Sequence, residues 1–463
     1  MRSEQVRAQL DHPVIDVDGH LQEITPLLRD EVLDRARSLG GPRLAQRVAD
    51  TPLTYDEGTA RSRWFDLTEE ERRDAWAVCP AWWAMPTDTR DRATAYLPSL
   101  LYERLDEMGI DFSVLYPSLG LSLVGIADDE VRQLACRVYN DTYAELYRPY
   151  ADRLTPVAVL PTVTPAEAID ELEHAVGELG AKAVAIGHVR RAVPGAGVRL
   201  ETYGIDSAYD YDPLWRRCVE LGVAVGVHAS EQAWGSRRSI SSYTYNHIGC
   251  FSAAAESMCK SLFLGGVTAR FPTLRFAFLE GGVGWARTLL ADLVSHWEKR
   301  GAGAIGALDP ARLDIEHLVA LFGEYGPPAL RDEQTVRAFF TRPDPRPAEA
   351  DDFAAAAISS AADFGPRFVD PFFFGCEADD PINAWAFTGG PRLQAVLGSD
   401  IGHWDVPRLE GVLREAYELV EGGALSEADF RDFVFTHPVR LYGPGFFAGT
   451  ACEVAVRKEV ATG

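Results

Sequence analysis

Nowhere does the 463-residue sequence run to the ~18 uninterrupted apolar residues that a membrane-crossing helix requires. The first twenty residues, MRSEQVRAQLDHPVIDVDGH, also lack the apolar core of a signal peptide, so the chain is expected in the cytoplasm. Its seven cysteines form no CxxC pair, which argues against both a disulfide framework and a Cys-type zinc site. Basic residues are in deficit: 45 Lys and Arg stand against 69 Asp and Glu, a net charge of −24, and such a surface repels a phosphate backbone. Nucleic acid and membrane are therefore not expected partners. There is no internal repeat and no long low-complexity tract, although DDFAAAAISSAAD is biased.

What the chain has is alternation. Short apolar runs at Val14 to Val17, Phe112 to Tyr116, Thr155 to Leu160, Ala183 to Gly187, Ala224 to Val227, Arg275 to Leu279, Phe368 to Phe374 and Ala395 to Leu397 read as buried parallel strands. Amphipathic stretches such as TPAEAIDELEHAVGELG lie between them, often opened by Ser, Thr or Asp and closed by Gly. Eight such units favour a closed (β/α)₈ barrel over an open doubly wound sheet. The whole of 1–463 reads as a single barrel domain, with insertions at about 21–108 and 301–367 expected at the barrel mouth. The first insertion carries Trp76, Trp82 and Trp83, which suit either a satellite core or a hydrophobic lid.

Reactive side chains of such a barrel sit at the C-terminal strand ends. The predicted ends carry Asp18-Gly19-His20, His188, His228, Glu280, Glu377, and Asp400 followed by His403, on six of the eight strands. Asp18 and His20 are two apart, so in an extended segment both face one side and can grip one ion. Imidazole nitrogen with carboxylate oxygen suits zinc, iron, manganese or cobalt. Plainer readings stand beside these: Asp18 as a cap or orienter, Glu280 capping the helix near Val283, and Glu377 as a salt-bridge partner. His188 shares its loop with Arg190 and Arg191, which suit an anionic substrate instead. His403 and Asp405 of GHWD are candidates for proton shuttle and orienter, and Glu23 lies within reach of the same mouth. His247, Arg237, Arg238 and Trp285 are candidate substrate contacts. His12, His174, His296, His317 and His437 lie off the strand ends.

The run IDVDGHLQE, the fifth-strand HAS, FLEGGVGW after FPTLRF, and GSDIGHWD together resemble the amidohydrolase superfamily, in particular the group that includes aminocarboxymuconate-semialdehyde decarboxylase. The resemblance covers roughly residues 13–442 and rests on four ordered motifs. It implies that His20, His228 and Asp400 are metal ligands and that the chain forms a homodimer. Asp18 stands where the group has the first histidine of a His-x-His pair, and Glu280 where it has a catalytic sixth-strand histidine.

The carboxylate at position 280 weighs against simple decarboxylation and adds an anionic ligand, so one or two divalent ions (zinc, iron or manganese) are expected. The leading expectation is hydrolysis of an amide, ester or thioester by metal-activated water, with Asp400 as base, His403 beside it, and Glu280 ligating or bridging. Non-oxidative decarboxylation or another C–C lyase step, and redox chemistry at a di-iron site, are the alternatives, with a catalytically silent metal-binding barrel behind them. The expected substrate is a small molecule, partly apolar, with an anionic group.

Overall fold

In the computed structural model, which describes residues 1–54, 64–81, 83–195, 197–228, 236–342 and 350–462, every predicted apolar run contains a strand. These are β1 (Ile15–Leu21), β2 (Phe112–Pro117), β3 (Leu154–Pro156, resuming as Ala158–Val159), β4 (Ala183–Ile186), β5 (Ala224–Val227), β6 (Phe276–Phe278), β7 (Phe372–Glu377) and β8 (Gln394–Gly398). Trp82, and Ala229 and Ser230 of the HAS motif, lie outside the described residues. Each strand pairs in parallel with the next, β1 through β8. β3 changes partner at Val157: Val157 N donates to Leu115 O of β2 at 3.0 Å, and Leu160 N donates to Ala185 O of β4 at 3.0 Å.

The remaining seam, β8 to β1, is closed largely by one side chain. Asp16 is fully buried, and its carboxylate accepts from Ser113 Oγ on β2 (2.6 Å) and from Ser399 N (2.9 Å) and Oγ (2.7 Å) beyond β8. One backbone bond, Asp400 N to Asp18 O at 2.9 Å, completes the join. Gly19 is required here, because a Cβ would fall 2.5 Å from Ser113 Oγ and 2.6 Å from Asp16 Oδ2.

Among the helices are α1 (Thr25–Asp50), α2 (Pro98–Met108), α3 (Asp129–Tyr147), α4 (Pro165–Gly177), α5 (Asp212–Leu221), α6 (Cys250–Leu264), α7 (Gly284–Arg300), α8 (Ile315–Tyr325), α9 (Glu333–Phe340) and α10 (Val412–Glu421). Their ends follow the expected chemistry. Asp128 and Thr164 cap α3 and α4 through the N–H groups of Val131 and Glu167, and left-handed Gly109 and Gly222 terminate α2 and α5. None of the described helices is long and apolar enough to cross a membrane, and all seven cysteines are free and buried.

Three features depart from the sequence reading. β1 runs on to Leu21, so Asp18 and His20 lie inside the strand rather than beyond it. Residues Gly365–Val369 coil into a helical turn instead of opening β7, because Pro366 sits in the first turn, where a missing N–H costs nothing. The second insertion also lies away from the expected mouth. It joins the C-terminal end of α7 to the start of β7, and both belong to the N-terminal end of the barrel. There Phe364 stacks on Phe263 and meets Trp297 edge-on, with ring centroids 5.6 and 6.1 Å apart. The first insertion does follow a C-terminal strand end.

Replacing Asp16 by Ala leaves the Ser113 and Ser399 donors buried without an acceptor. We expect it to lower unfolding stability by about 3–5 kcal/mol, measured by urea denaturation, with Asp16→Asn falling between the variant and wild type.

Candidate metal centre

The strand ends bring five imidazole and carboxylate groups together. His20 Nε2 lies 3.2 Å from His228 Nε2, 3.3 Å from Asp400 Oδ1 and 3.6 Å from Asp18 Oδ1. His228 Nε2 in turn lies 3.8 Å from Asp18 Oδ1 and 3.3 Å from Glu280 Oε2. Donor atoms sharing one ion through bonds of about 2.0–2.2 Å stand roughly 3–3.6 Å apart, so the spacing matches a shared cation. Asp18, His20 and His228 form one cluster of potential ligands; His20, Asp400 and His403 form a second. A third, His247, Glu280 and Asp405, adjoins them through Glu280.

Local backbone geometry aims these groups. Glu280 and Asp400 are both left-handed, at φ 55° and 49°, a conformation that costs a non-glycine residue about 1–3 kcal/mol and persists only where the surroundings enforce it. Gly398 has no Cβ because one would sit 3.0 Å from the Asp18 Cβ. His20 presents Nε2 inward while Nδ1 faces the Pro117 carbonyl and, at 3.5 Å, Ser118 Oγ. His403 places Nδ1 2.6 Å from Asp400 Oδ1 and Nε2 3.0 Å from Ser118 Oγ. Gln22 Nε2 fixes that serine, donating to its Oγ at 2.8 Å.

The cluster is strongly anionic and enclosed. Burial pushes the Asp18, Glu280 and Asp400 carboxyls well above the usual range, and their mutual charges push them further. Glu377 is pushed up to about 7 by burial and by Asp405, Asp379 and Asp380. Burial holds the His20 imidazole well below its usual value, with His403 and His228 adding to the shift, so that ring supplies no compensating charge. Among the described residues no Lys or Arg pairs with any of these carboxylates. Asp18 Oδ1 and Asp400 Oδ2 are buried with no hydrogen-bond partner among those residues. Orphaned oxygens beside imidazole nitrogens are a donor set that fits a divalent cation.

A protein-family model described as Amidohydrolase matches residues 15–443. The chain belongs to the amidohydrolase family. No curated protein matches it in sequence. Among solved structures it is similar to an amidohydrolase from Mycobacterium avium subsp. paratuberculosis K-10, at 18% identity over 94% of this chain and 98% of that one, with a TM-score of 0.55. It is also similar to a manganese-bound dihydroxybenzoic acid decarboxylase from Polaromonas sp. JS666 (16% identity, 94% and 98% covered, TM-score 0.49) and to 4-oxalomesaconate hydratase from Rhodopseudomonas palustris (13%, 96% and 99%, 0.47). The superfamily is metal-dependent, and this amidohydrolase is an enzyme of it.

Other predicted site residues of the amidohydrolase are placed differently. His188 falls outside the three clusters: its Nε2 faces the Ala254 carbonyl at 3.3 Å, and burial lowers it to about 4, which makes it a neutral residue tied to α6. Glu377 acts on the cluster through its charge without joining a ligand group. Trp285 meets Phe278 and Phe374 edge-on, between sheet and helix, so it is core more than substrate wall. Arg238 spends Nε and Nη2 on the Trp76 carbonyl, at 3.0 and 2.7 Å, and so ties the first insertion to the loop after β5; Arg237 is exposed. Cys79 N to Ser239 O and Asn246 Nδ2 to Cys79 O, both 3.0 Å, add to that tie. His247, expected at the substrate, is brought to Glu280 and Asp405, under the rings of Tyr243 and Trp404. Sequence reading passed over Ser118, Gln22 and Asp16. Only Asp16 had a signal, the alternation of polar residues at 16, 18 and 20.

Glu23 is a clamp: its Oε2 and Oε1 accept from Leu119 N (2.8 Å) and Gly120 N (3.0 Å). Burial raises it from 4.5 to about 7, so the folded state holds an extra proton between those values. Its contribution to stability is full below pH 4.5 and is lost as pH rises through about 7. Thermal melts of wild type and Glu23→Gln from pH 4.5 to 8 should diverge accordingly, with the wild type losing up to roughly 3 kcal/mol more over that window.

Proposed function

We propose that the protein hydrolyses a carbonyl compound, an ester, thioester or amide, at a centre held by Asp18, His20, His228, Asp400 and Glu280. The observation that carries this reading is the set of orphaned, buried oxygens on Asp18 and Asp400 around two imidazole nitrogens. His247 and Asp405, sharing Glu280, supply ligands enough for a second ion. Bound zinc, iron or manganese would lower the pKa of water and polarise the substrate carbonyl.

The chain's own groups account for the proton transfers. Asp400 Oδ2, without a partner, accepts a proton from the attacking water as the new C–O bond forms. His403 Nδ1, 2.6 Å from Oδ1, steadies that carboxyl, and Ser118 and Gln22 hold the ring in place. The proton then passes to the leaving alkoxide, thiolate or amine as the bond to carbon breaks. Tyr243, Phe251 and Trp404 beside His247 form an apolar wall suited to an acyl or aromatic group, and exposed Arg237 suits an anionic end. A second reading, decarboxylation, is favoured by Glu377, which at about 7 keeps a proton available for carbon.

The test is turnover by metal-loaded protein of panels of acyl thioesters, aryl esters and hydroxylated aromatic acids, with CO₂ and O₂ followed together. Hydrolysis without CO₂ release or O₂ uptake is expected, with kcat reduced about 10²–10⁴-fold in Asp400→Asn. Release of CO₂ would transfer the assignment to the lyase, and O₂ uptake to a redox enzyme.

A further inference from the structure

The split in β3 leaves a space that the chemistry at the mouth does not use. Leu154–Pro156 pairs with β2, and pairing with β4 starts only at Ala158. Pro156 has no N–H to offer a ladder. The stretch before Ala158 therefore stands apart from Leu179 to Lys182, the turn that leads from α4 into β4, and α3 lies over the gap. Leu154 opens β3 and Lys182 directly precedes β4, so the gap is at the N-terminal end of the barrel, opposite the metal cluster. It forms a cleft of about 640 Å³, its open side included, a size at which small-molecule sites occur. Small residues keep it from filling: Ala144 on α3, Ala158 on β3, and Gly180 and Ala181 in the turn.

One wall of the cleft is aromatic. Tyr139, Tyr143 and Tyr147 repeat every four residues along α3 and so share a face; the rings of Tyr139 and Tyr143 stack with centroids 4.5 Å apart. Tyr147 is only 2% exposed, yet its hydroxyl, like that of Tyr143, has no hydrogen-bond partner among the described residues. Buried hydroxyls are nearly always satisfied, so these are donors that suit a ligand.

The opposite side carries charge of one sign. Lys182 is half-buried, and among the described residues it donates one hydrogen bond, to the Ala448 carbonyl at 3.3 Å, and forms no ion pair. Burial lowers its ammonium from the usual value, with the more distant Glu453 opposing the shift. Arg148 lines the same cleft and is likewise unpaired among those residues. No acidic side chain lines it, although the chain holds 69. On a molecule of net charge −24, two cations without a carboxylate beside them select an anion.

We infer that this cleft is a second small-molecule site, and that it takes an aromatic carboxylate. The ring lies along Tyr143, Tyr147 and Leu179, and the carboxylate meets Lys182 and Arg148. With no imidazole, thiol or carboxylate in its lining, the cleft binds its ligand and has no means of converting it.

The experiment is calorimetric titration of the metal-loaded full chain with benzoate. One molecule per chain is expected to bind with a Kd of about 1 mM or tighter, which is within reach of so small a ligand. Lys182→Gln and, separately, Ala144→Leu, which fills part of the cleft, should each weaken binding about tenfold or more at unchanged metal content and thermal midpoint. Arg237→Ala, at the mouth, should leave it as it is. No binding up to about 10 mM would overturn the inference. So would binding that either cleft variant preserves, or that Arg237→Ala weakens as much. Acetate or inorganic phosphate binding as tightly as benzoate would reveal an anion site without aromatic selection and overturn it equally.

Discussion

Five carboxylates, Asp18, Glu280, Glu377, Asp400 and Asp405, converge at one end of the barrel with no lysine or arginine paired to them among the described residues. Burying even one unpaired carboxylate costs several kcal/mol, and gathering several raises each one's cost through the others' charge. Such a cluster is tolerable only if it holds protons or cations. Imidazole nitrogens of His20 and His228 lie 3.3–3.8 Å from Asp18, Asp400 and Glu280, and the His20 ring, held neutral by burial, is a potential ligand and not a counter-charge. The left-handed backbones of Glu280 and Asp400 follow from the same demand: strain is accepted so that both side chains face the centre.

The frame that holds this cluster is itself polar at its weakest point. Along the rest of the barrel, backbone ladders join neighbouring strands, but between β8 and β1 the Asp16 carboxylate does much of that work. Asp16 is two residues from Asp18, and Ser399 is adjacent to Asp400. The clip that closes the barrel therefore also sets the separation of two of the site's carboxylates. Stability and site geometry are coupled here through one side chain, and Gly19 and Gly398 keep the approach close enough for the coupling to hold.

Much of this was legible in the sequence because parallel strands covered on both faces appear as continuous apolar runs, and because polar residues just beyond such runs stand out. That logic found all eight barrel strands, though not the antiparallel pair Arg190–Val193 and Gly197–Leu200, and brought attention to Asp18, His20, His228, Glu280 and Asp400. It failed where a residue's partner is remote in sequence. His188 ends a strand like its neighbours, yet a backbone carbonyl on α6 takes its nitrogen. Ser118 follows β2 without any metal-binding character and matters only because His403, 285 residues later, lands on it. Trp285 reads as a mouth residue from its motif, but the first turn of α7 points its ring toward Phe278 and Phe374.

The two insertions illustrate how topology assigns work to ends. A segment that follows a strand's C-terminal end must start beside the chemistry, and the first insertion is laced there to the loop after β5 by Arg238, Cys79 and Asn246. A segment that follows a helix must start at the opposite end, whatever its composition. Aromatic residues are therefore ambiguous from sequence alone: Trp76 and Phe339 are both about half exposed, but one borders the mouth and the other is a barrel length away. Their surroundings separate the roles. Trp76 sits in a segment pinned by directional hydrogen bonds. Phe339 sits on a short helix of which Val336 is the only buried residue.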